Sequence, residues 1–156
     1  GVLIRGESVC HLSGNTIENN SRANLAVLDR SCPHAENNII QEGAGRGIVI
    51  TGMATGVYKN NRIASHRLAG VYVGGKAEPI MTGNVVADSG ASGIVVEDSA
   101  KGVFTDNSVF GNECAAVAVQ GNAQPVLTRN VVIHDGKGGI WLGEQAGGGF
   151  TGDCVQ

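Results

Sequence analysis

Asparagine recurs every 23 residues along nearly the whole chain, and no insertion interrupts the interval. The asparagines that mark the repeat are Asn15, Asn38, Asn61, Asn84, Asn107 and Asn130. One further step reaches Asp153, which is similar to asparagine in shape. A constant period of roughly 20 to 50 residues is the signature of a solenoid, in which each repeat packs only against its neighbours.

Apolar residues occupy fixed places within each repeat. In the repeat that begins at Asn84 they include Val86, Ile94, Val96 and Phe104, and the other repeats have similar residues at the same places. Apolar residues two apart, in short runs bounded by glycine, predict strands, and no segment shows a sustained helical period. We therefore expect an all-β fold with three short strands per repeat. Stacked in register, these form a single-stranded parallel β-helix with 23-residue coils about 4.8 Å apart. We expect a right-handed helix, because parallel crossovers are right-handed.

Three further positions in the repeat carry backbone predictions. The recurring asparagine is expected at a sharp corner in left-handed conformation, with its amide bonded to those above and below in a ladder. Glycine nine residues later, as in Gly47, predicts a positive φ. Proline and glycine alternate eighteen residues after each asparagine, which indicates a larger unit of two coils. The alternating residues are Pro33, Gly56, Pro79, Gly102, Pro125 and Gly148.

Composition narrows the possible partners. The net charge is −3 and no basic run is present, which argues against nucleic acid and anionic membranes as partners. No apolar stretch is long enough to span a membrane. The four cysteines are scattered without a CxxC motif, which favours a reduced, intracellular compartment and leaves open whether Cys10 and Cys32 pair. Residues 1–156 are expected to form one domain of about seven coils, cut from a longer chain.

The repeat also resembles a known family. Its unit of proline, an apolar residue, asparagine and isoleucine, followed by Ala-Gly-Val-x-Val, resembles the β-helix repeats of the carbohydrate-binding and sugar-hydrolase (CASH) family. The segments 79–84 (PIMTGN), 102–107 (GVFTDN) and 125–130 (PVLTRN) look like the paired coils of the F-box only protein 11 type. That resemblance implies a substrate-recognition module of a ubiquitin ligase.

One loop position collects residues suited to acid–base chemistry. Glu42, His66 and Asp88 come from three consecutive repeats, with His134 at the same place further on, and the first three are expected within about 10 Å of one another. A histidine between two carboxylates can act as an acid or a base. The alternative interpretation is an exposed polar turn.

Two histidines suggest a metal site. His11 and His34 are one repeat apart and are expected to stack on adjacent coils, with Cys10, Cys32 and Glu36 nearby. These are metal-ligand types, and the alternative interpretation, which the outward position favours, is stacked surface histidines without a metal. No cofactor is otherwise indicated.

The same outward column later becomes aliphatic and runs beside threonines. Aligned apolar residues on an outer face suggest a docking surface, or else ordinary strand propensity. The expected binding surface consists of Val57, Ile80, Val103, Val126, Thr82, Thr105 and Thr128, together with the outward aromatics Tyr72 and Trp141.

The sequence supports three functional hypotheses. The first is a non-catalytic recognition scaffold that binds a protein partner along an outer face. The second is a carbohydrate-binding or polysaccharide-processing β-helix. The third is a structural repeat that self-associates end to end or face to face.

Overall fold

A computed structural model of the chain describes residues 1–133 and 136–156. The described residues form three parallel sheets of seven strands each, numbered β1 to β21 along the chain. The first sheet contains β1 (Val2–Ile4), β4 (Leu25–Val27), β7 (Ile48–Ile50), β10 (Val71–Val73), β13 (Ile94–Val96), β16 (Val117–Val119) and β19 (Ile140–Leu142). The second contains β2 (His11–Ser13), β5 (His34–Glu36), β8 (Val57–Lys59), β11 (Ile80–Thr82), β14 (Val103–Thr105), β17 (Val126–Thr128) and β20 (Gly149–Thr151). The third contains β3 (Thr16–Glu18), β6 (Ile39–Gln41), β9 (Arg62–Ala64), β12 (Val85–Ala87), β15 (Ser108–Phe110), β18 (Val131–Val132) and β21 (Cys154–Val155).

Every strand pairs with its equivalent in the next coil, so partners lie one repeat apart in the sequence. Val71, for example, pairs with Ile94, and Val86 pairs with Val109. This register confirms the predicted parallel β-helix with three strands per 23-residue coil. The described residues include no helix able to cross a membrane.

The predicted apolar columns form the interior of the coils. Ile40, Ile63 and Val86 lie directly above one another in the third sheet and are fully buried. In the second sheet the equivalent column contains Tyr58 and Phe104, the largest fully buried side chains among the described residues. Burying such side chains stabilises the fold by about 1.5–3 kcal/mol each.

The recurring asparagines form a continuous hydrogen-bonded ladder. In each described pair, the side-chain nitrogen and the backbone N–H of one asparagine both donate to the side-chain oxygen of the next, as Asn61 does to Asn84 at 3.0 and 2.9 Å. The second hydrogen of that nitrogen goes to a backbone carbonyl, which is that of Ala35 for Asn61. Asp153 accepts the last pair of bonds, from Asn130. The buried side-chain amides of these rungs are therefore all hydrogen-bonded, whereas the second carboxylate oxygen of Asp153 is buried without a hydrogen-bond partner among the described residues.

The left-handed corner lies one residue before the ladder, which corrects the expectation for the asparagines themselves. Asn37, Asn60 and Asp106 have φ values of 55°, 53° and 55°, whereas no ladder asparagine has a positive φ. The physical reason is that each ladder residue must aim its own N–H along the axis at the next amide oxygen. The reversal of the chain is left to the preceding residue.

The glycines nine residues after the ladder also differ from expectation, because their φ is not positive. They are required for space instead. A Cβ on Gly47 would lie 2.4 Å from the carbonyl oxygen of Gly70, and one on Gly93 would lie 2.5 Å from a methyl group of Val109. Ala116 occupies the same place without a special turn and is fully buried.

The alternation of proline and glycine reflects direct packing between successive coils. Gly56 has φ 109°, and a Cβ added there would lie 2.5 Å from the carbonyl oxygen of Pro33 and 3.0 Å from its ring. Gly102 and Gly148 have the same relationship to Pro79 and Pro125. Proline cannot adopt a positive φ and so cannot replace these glycines. Proline and glycine therefore alternate from coil to coil.

Candidate functional site

His66 faces the interior of the β-helix. Only 2% of its surface is exposed, and its Nε2 lies 3.2 Å from the side-chain nitrogen of Asn24. Burial lowers the pKa of His66 to about 4, because the interior disfavours the charged imidazolium. The ring is therefore neutral at physiological pH.

Glu42 and Asp88 lie on the outside of the same turns. Both are exposed, and both have φ 53°. Each makes, in its own coil, the same sharp turn that precedes His66 in the coil between them. None of the hydrogen bonds or ion pairs found between described residues joins either carboxylate to His66. The predicted histidine between two carboxylates is thus divided between inside and outside, and its catalytic role stays a prediction. His134 lies outside the described residues.

A polar cavity of about 520 Å³ opens beside these turns. It is lined by Ser65, His66, Arg67, Asp88, Gly90 and Glu113. Arg67, Asp88 and Glu113 are exposed, so one cation and two carboxylates face solvent here, with the edge of the His66 ring behind them. Such a set can hold a polar ligand.

Tyr72 points outward from the first sheet but is already engaged by its neighbours. The guanidinium of Arg46 lies 4.4 Å above the ring centroid, and the hydroxyl donates to Glu97. Burial and this hydrogen bond raise the pKa of Tyr72 to about 12. Its ring is therefore a fixed part of the wall and is not a free stacking surface.

Trp141 occupies the same outward column three coils further on and is 49% exposed. It forms one end of a cavity of about 470 Å³ lined by Ser92, Cys114, Ala115, Ala118, Gln120, Lys137 and Trp141. The cavity combines an aromatic face, an amide, an ammonium group and an apolar floor. Sequence reasoning selected Trp141 and missed Gln120 and Lys137. The missed signal was their place in the columns that flank the tryptophan.

The same sheet face carries two further depressions at the other end of the β-helix. One, of about 420 Å³, is lined by Leu3, Ala26 and Val49 with Arg22 at its edge. The other, of about 350 Å³, lies beside Arg46 and Leu68. Together with the cavity at Trp141, they give this face an apolar floor with basic side chains along one border.

The second sheet presents a flat aliphatic strip. Ile80, Val103 and Val126 are 47%, 40% and 44% exposed, while Val57 is half-buried. Thr82, Thr105 and Thr128 run beside them and pair directly with one another along the ladder. These residues form a continuous outward strip, and its role as a binding surface stays a prediction.

At one end of this strip the aliphatic column is replaced by His11 and His34. Their rings stack with centroids 4.8 Å apart, and Glu36 lies beside both. The neighbouring Cys10 and Cys32 are free, so the structure contains no bridge between them. These cysteines do not belong to the cluster of ligand atoms formed by the histidines and Glu36.

The stacked coils define a parallel β-helix, and the described candidate residues other than His66 lie on its outer faces. The chain belongs to the family described as the right handed beta helix region, whose family model matches residues 1–155. The hand of the helix agrees with the prediction from parallel crossovers. No curated protein sequence matches the chain.

Solved structures that share the fold include two variants of one alginate epimerase. A double mutant of the periplasmic alginate epimerase AlgG superposes with a TM-score of 0.86 at 10% identity, covering 99% of this chain and 44% of that one. A single mutant of the same epimerase gives a TM-score of 0.74 at 15% identity, covering 96% and 46%. The chain thus spans less than half the length of these structures. At such identities the likeness shows the fold alone.

Proposed function

We propose that the protein binds an acidic polysaccharide along the outer face of the first sheet. The observation that carries this proposal is the cavity in which the exposed ring of Trp141 stands with Lys137 and Gln120. Aromatic rings offer an apolar face to sugar rings, while a few polar groups fix their orientation. The ammonium group of Lys137 suits a carboxylate on the sugar.

A polymer fits this face better than a single sugar. The Trp141 cavity and the depressions beside Arg22 and Arg46 lie toward opposite ends of the first sheet, so one sugar ring does not contact both regions. The depressions beside Arg22 and Arg46 lie on the same sheet, and their charges match an acidic chain. The similarity in fold to structures of an alginate epimerase supports a polysaccharide as the ligand class.

The proposal can be tested by fluorescence, because Trp141 is the one tryptophan of the chain. Alginate oligomers are titrated into the protein while tryptophan emission is followed, with neutral cello-oligomers as the comparison. We expect saturable quenching by alginate and a weaker response to the neutral oligomers. Lys137→Gln should weaken alginate binding about tenfold, since a charge-assisted bond contributes about 1.5 kcal/mol.

Lys101→Gln is the matched control. Lys101 is exposed and pairs with Glu78 at 3.7 Å, and it does not line the Trp141 cavity. Its replacement should leave alginate binding unchanged. Alginate oligomers that leave the emission unaltered, or an equal loss of affinity in both lysine variants, would contradict the proposed site.

A second candidate function is the binding of a protein partner on the strip of the second sheet. Its support is the exposure of Ile80, Val103 and Val126 in one uncharged row. This is the function that the F-box-type resemblance implies, with the strip as a substrate-recognition surface. A glycan array beside a pull-down separates the two functions. A partner retained by the unaltered protein and by Lys137→Gln, but lost when Val103 is changed to Lys, would favour protein recognition.

A further inference from the structure

We propose that His11, His34 and Glu36 form a binding site for a divalent transition-metal ion, with zinc as the best match. One ring nitrogen of each histidine and one carboxylate oxygen of Glu36 all lie within 4.8 Å of one another. This site lies on the second sheet and is independent of the proposed polysaccharide face.

The β-helix itself brings the three side chains together. His11 and His34 occupy the same place on β2 and β5 and are direct ladder partners. Glu36 lies two residues after His34 on the same strand, so both side chains point outward from one face of the sheet. The ligands are thus held by hydrogen-bonded backbone, with no loop involved.

The separations fit a metal coordination shell. Nε2 of His11 lies 3.2 Å from Oε1 of Glu36, and Nε2 of His34 lies 3.6 Å from Oε2. Ligand atoms bound to zinc at about 2.0–2.1 Å stand roughly 3.3 Å apart around a tetrahedron. Small rotations of exposed side chains are therefore enough to point all three groups at one ion.

The residues of this column, which is the repeat position of His11 and His34, support the same inference. Its later members Val57, Ile80, Val103 and Val126 are β-branched and aliphatic, as strand propensity favours. The departure to histidine occurs twice in succession, at the two coils that also place Glu36 beside them. Imidazole nitrogens with one carboxylate suit zinc, copper or nickel and do not suit magnesium or calcium.

Three protein ligands leave a coordination position that faces solvent. The side chains of His11 and His34 are 57% and 48% exposed, and that of Glu36 is 28% exposed. A zinc ion bound here would carry water or a further ligand in its fourth position. The inference concerns binding of the ion and assigns no reaction to it.

Isothermal titration with zinc chloride of the chain, free of any histidine tag, tests the site. We expect one zinc ion per chain at this site and no binding of magnesium chloride. His11→Gln and His34→Gln should each weaken zinc binding at least tenfold, and Glu36→Gln should weaken it measurably. Glu78→Gln replaces an exposed carboxylate elsewhere and should leave zinc binding unchanged.

Two further measurements distinguish zinc bound at this site from zinc bound by the cysteines or by the buried histidine. Replacing the exposed Cys32 and Cys154 by serine should not alter the affinity, since thiolates are not among the proposed ligands. Nitrogen-15 spectra of the histidine rings should show shifts at His11 and His34 on zinc addition, with buried His66 unchanged. Absence of zinc binding, or equal binding by the unaltered chain and His34→Gln, would overturn the inference.

Discussion

The side-chain nitrogen of Asn24 lies 3.2 Å from Nε2 of His66, although a complete coil separates the two residues along the axis. The intervening coil has Gly43 at the repeat position of His66 and Gly47 at the repeat position of Asn24. A Cβ on either glycine would come within 2.8 Å of the His66 ring. The Asn24 side-chain nitrogen also donates to the carbonyl oxygens of Ile17 and Gln41, at 3.0 and 2.7 Å, so it joins the His66 ring to the backbone of two coils.

This buried ring makes stability dependent on pH. The pKa of His66 is about 4 in the folded chain and about 6.5 in an unfolded one. Between these two pH values the folded chain therefore binds fewer protons than the unfolded chain. The stabilisation is complete above pH 6.5 and is lost progressively as the pH falls toward 4. His66 should account for roughly 2–3 kcal/mol of the fall in the free energy of unfolding over this pH range, and His66→Gln should abolish that part of the fall. Urea unfolding at pH 7 and pH 4.5 measures the difference, and exposed His34→Gln, which should keep the full dependence on His66, is the control.

Gly47 should not tolerate a methyl group. Gly47→Ala places Cβ 2.4 Å from the carbonyl oxygen of Gly70 and 2.8 Å from Cε1 of His66, so we expect a loss of about 3 kcal/mol in the free energy of unfolding. Gly149→Ala is the matched control, because its Cβ would meet Val126 at an ordinary 3.9 Å. That variant should be neutral or more stable by about 0.5 kcal/mol. Equal losses in thermal melts of both would argue against a steric role for Gly47.

The ladder should be most sensitive in its buried middle. Asn84→Ala leaves the backbone N–H and the side-chain nitrogen of Asn61 without their acceptor and removes the bonds that Asn84 donates. We expect a loss of about 3 kcal/mol in the free energy of unfolding. Asn15→Ala removes only donated bonds at an exposed position and should cost less than about 1 kcal/mol. Denaturant unfolding of the two variants provides the comparison, and similar costs would contradict the importance of accepted bonds.

The aromatic column of the second sheet offers a test of core packing. Phe104 is 1% exposed between Met81 and Leu127, and Phe104→Ala should lower the free energy of unfolding by about 3–5 kcal/mol. Phe150 occupies the same column but is 37% exposed. Phe150→Ala should therefore cost clearly less in the same unfolding measurement. A larger effect at Phe150 would show that burial does not rank these positions.

The sequence predicted the features that depend on one column alone. Apolar spacing placed Ile63 and Phe104 inside, and the repeated asparagine predicted the ladder, because each position meets its own equivalent in the next coil. It failed where different columns interact. The inward direction of the His66 side chain depends on the space left by Gly43 and Gly47 in the preceding coil. The repeat period relates equal positions only, so it does not reveal a contact between different positions. Lys137 and Gln120 were missed for the same reason, since the cavity beside Trp141 joins four columns.

The contact of Pro33, Pro79 and Pro125 with the glycine of the next coil limits how a protein of this kind can change its length. Excising 23 residues would set Pro79 directly upon Pro33, where the chain now has Gly56. Excising 46 residues restores the original neighbour. The β-helix is therefore expected to tolerate duplication or excision of coils in pairs. The smallest unit that it can gain or lose is two coils.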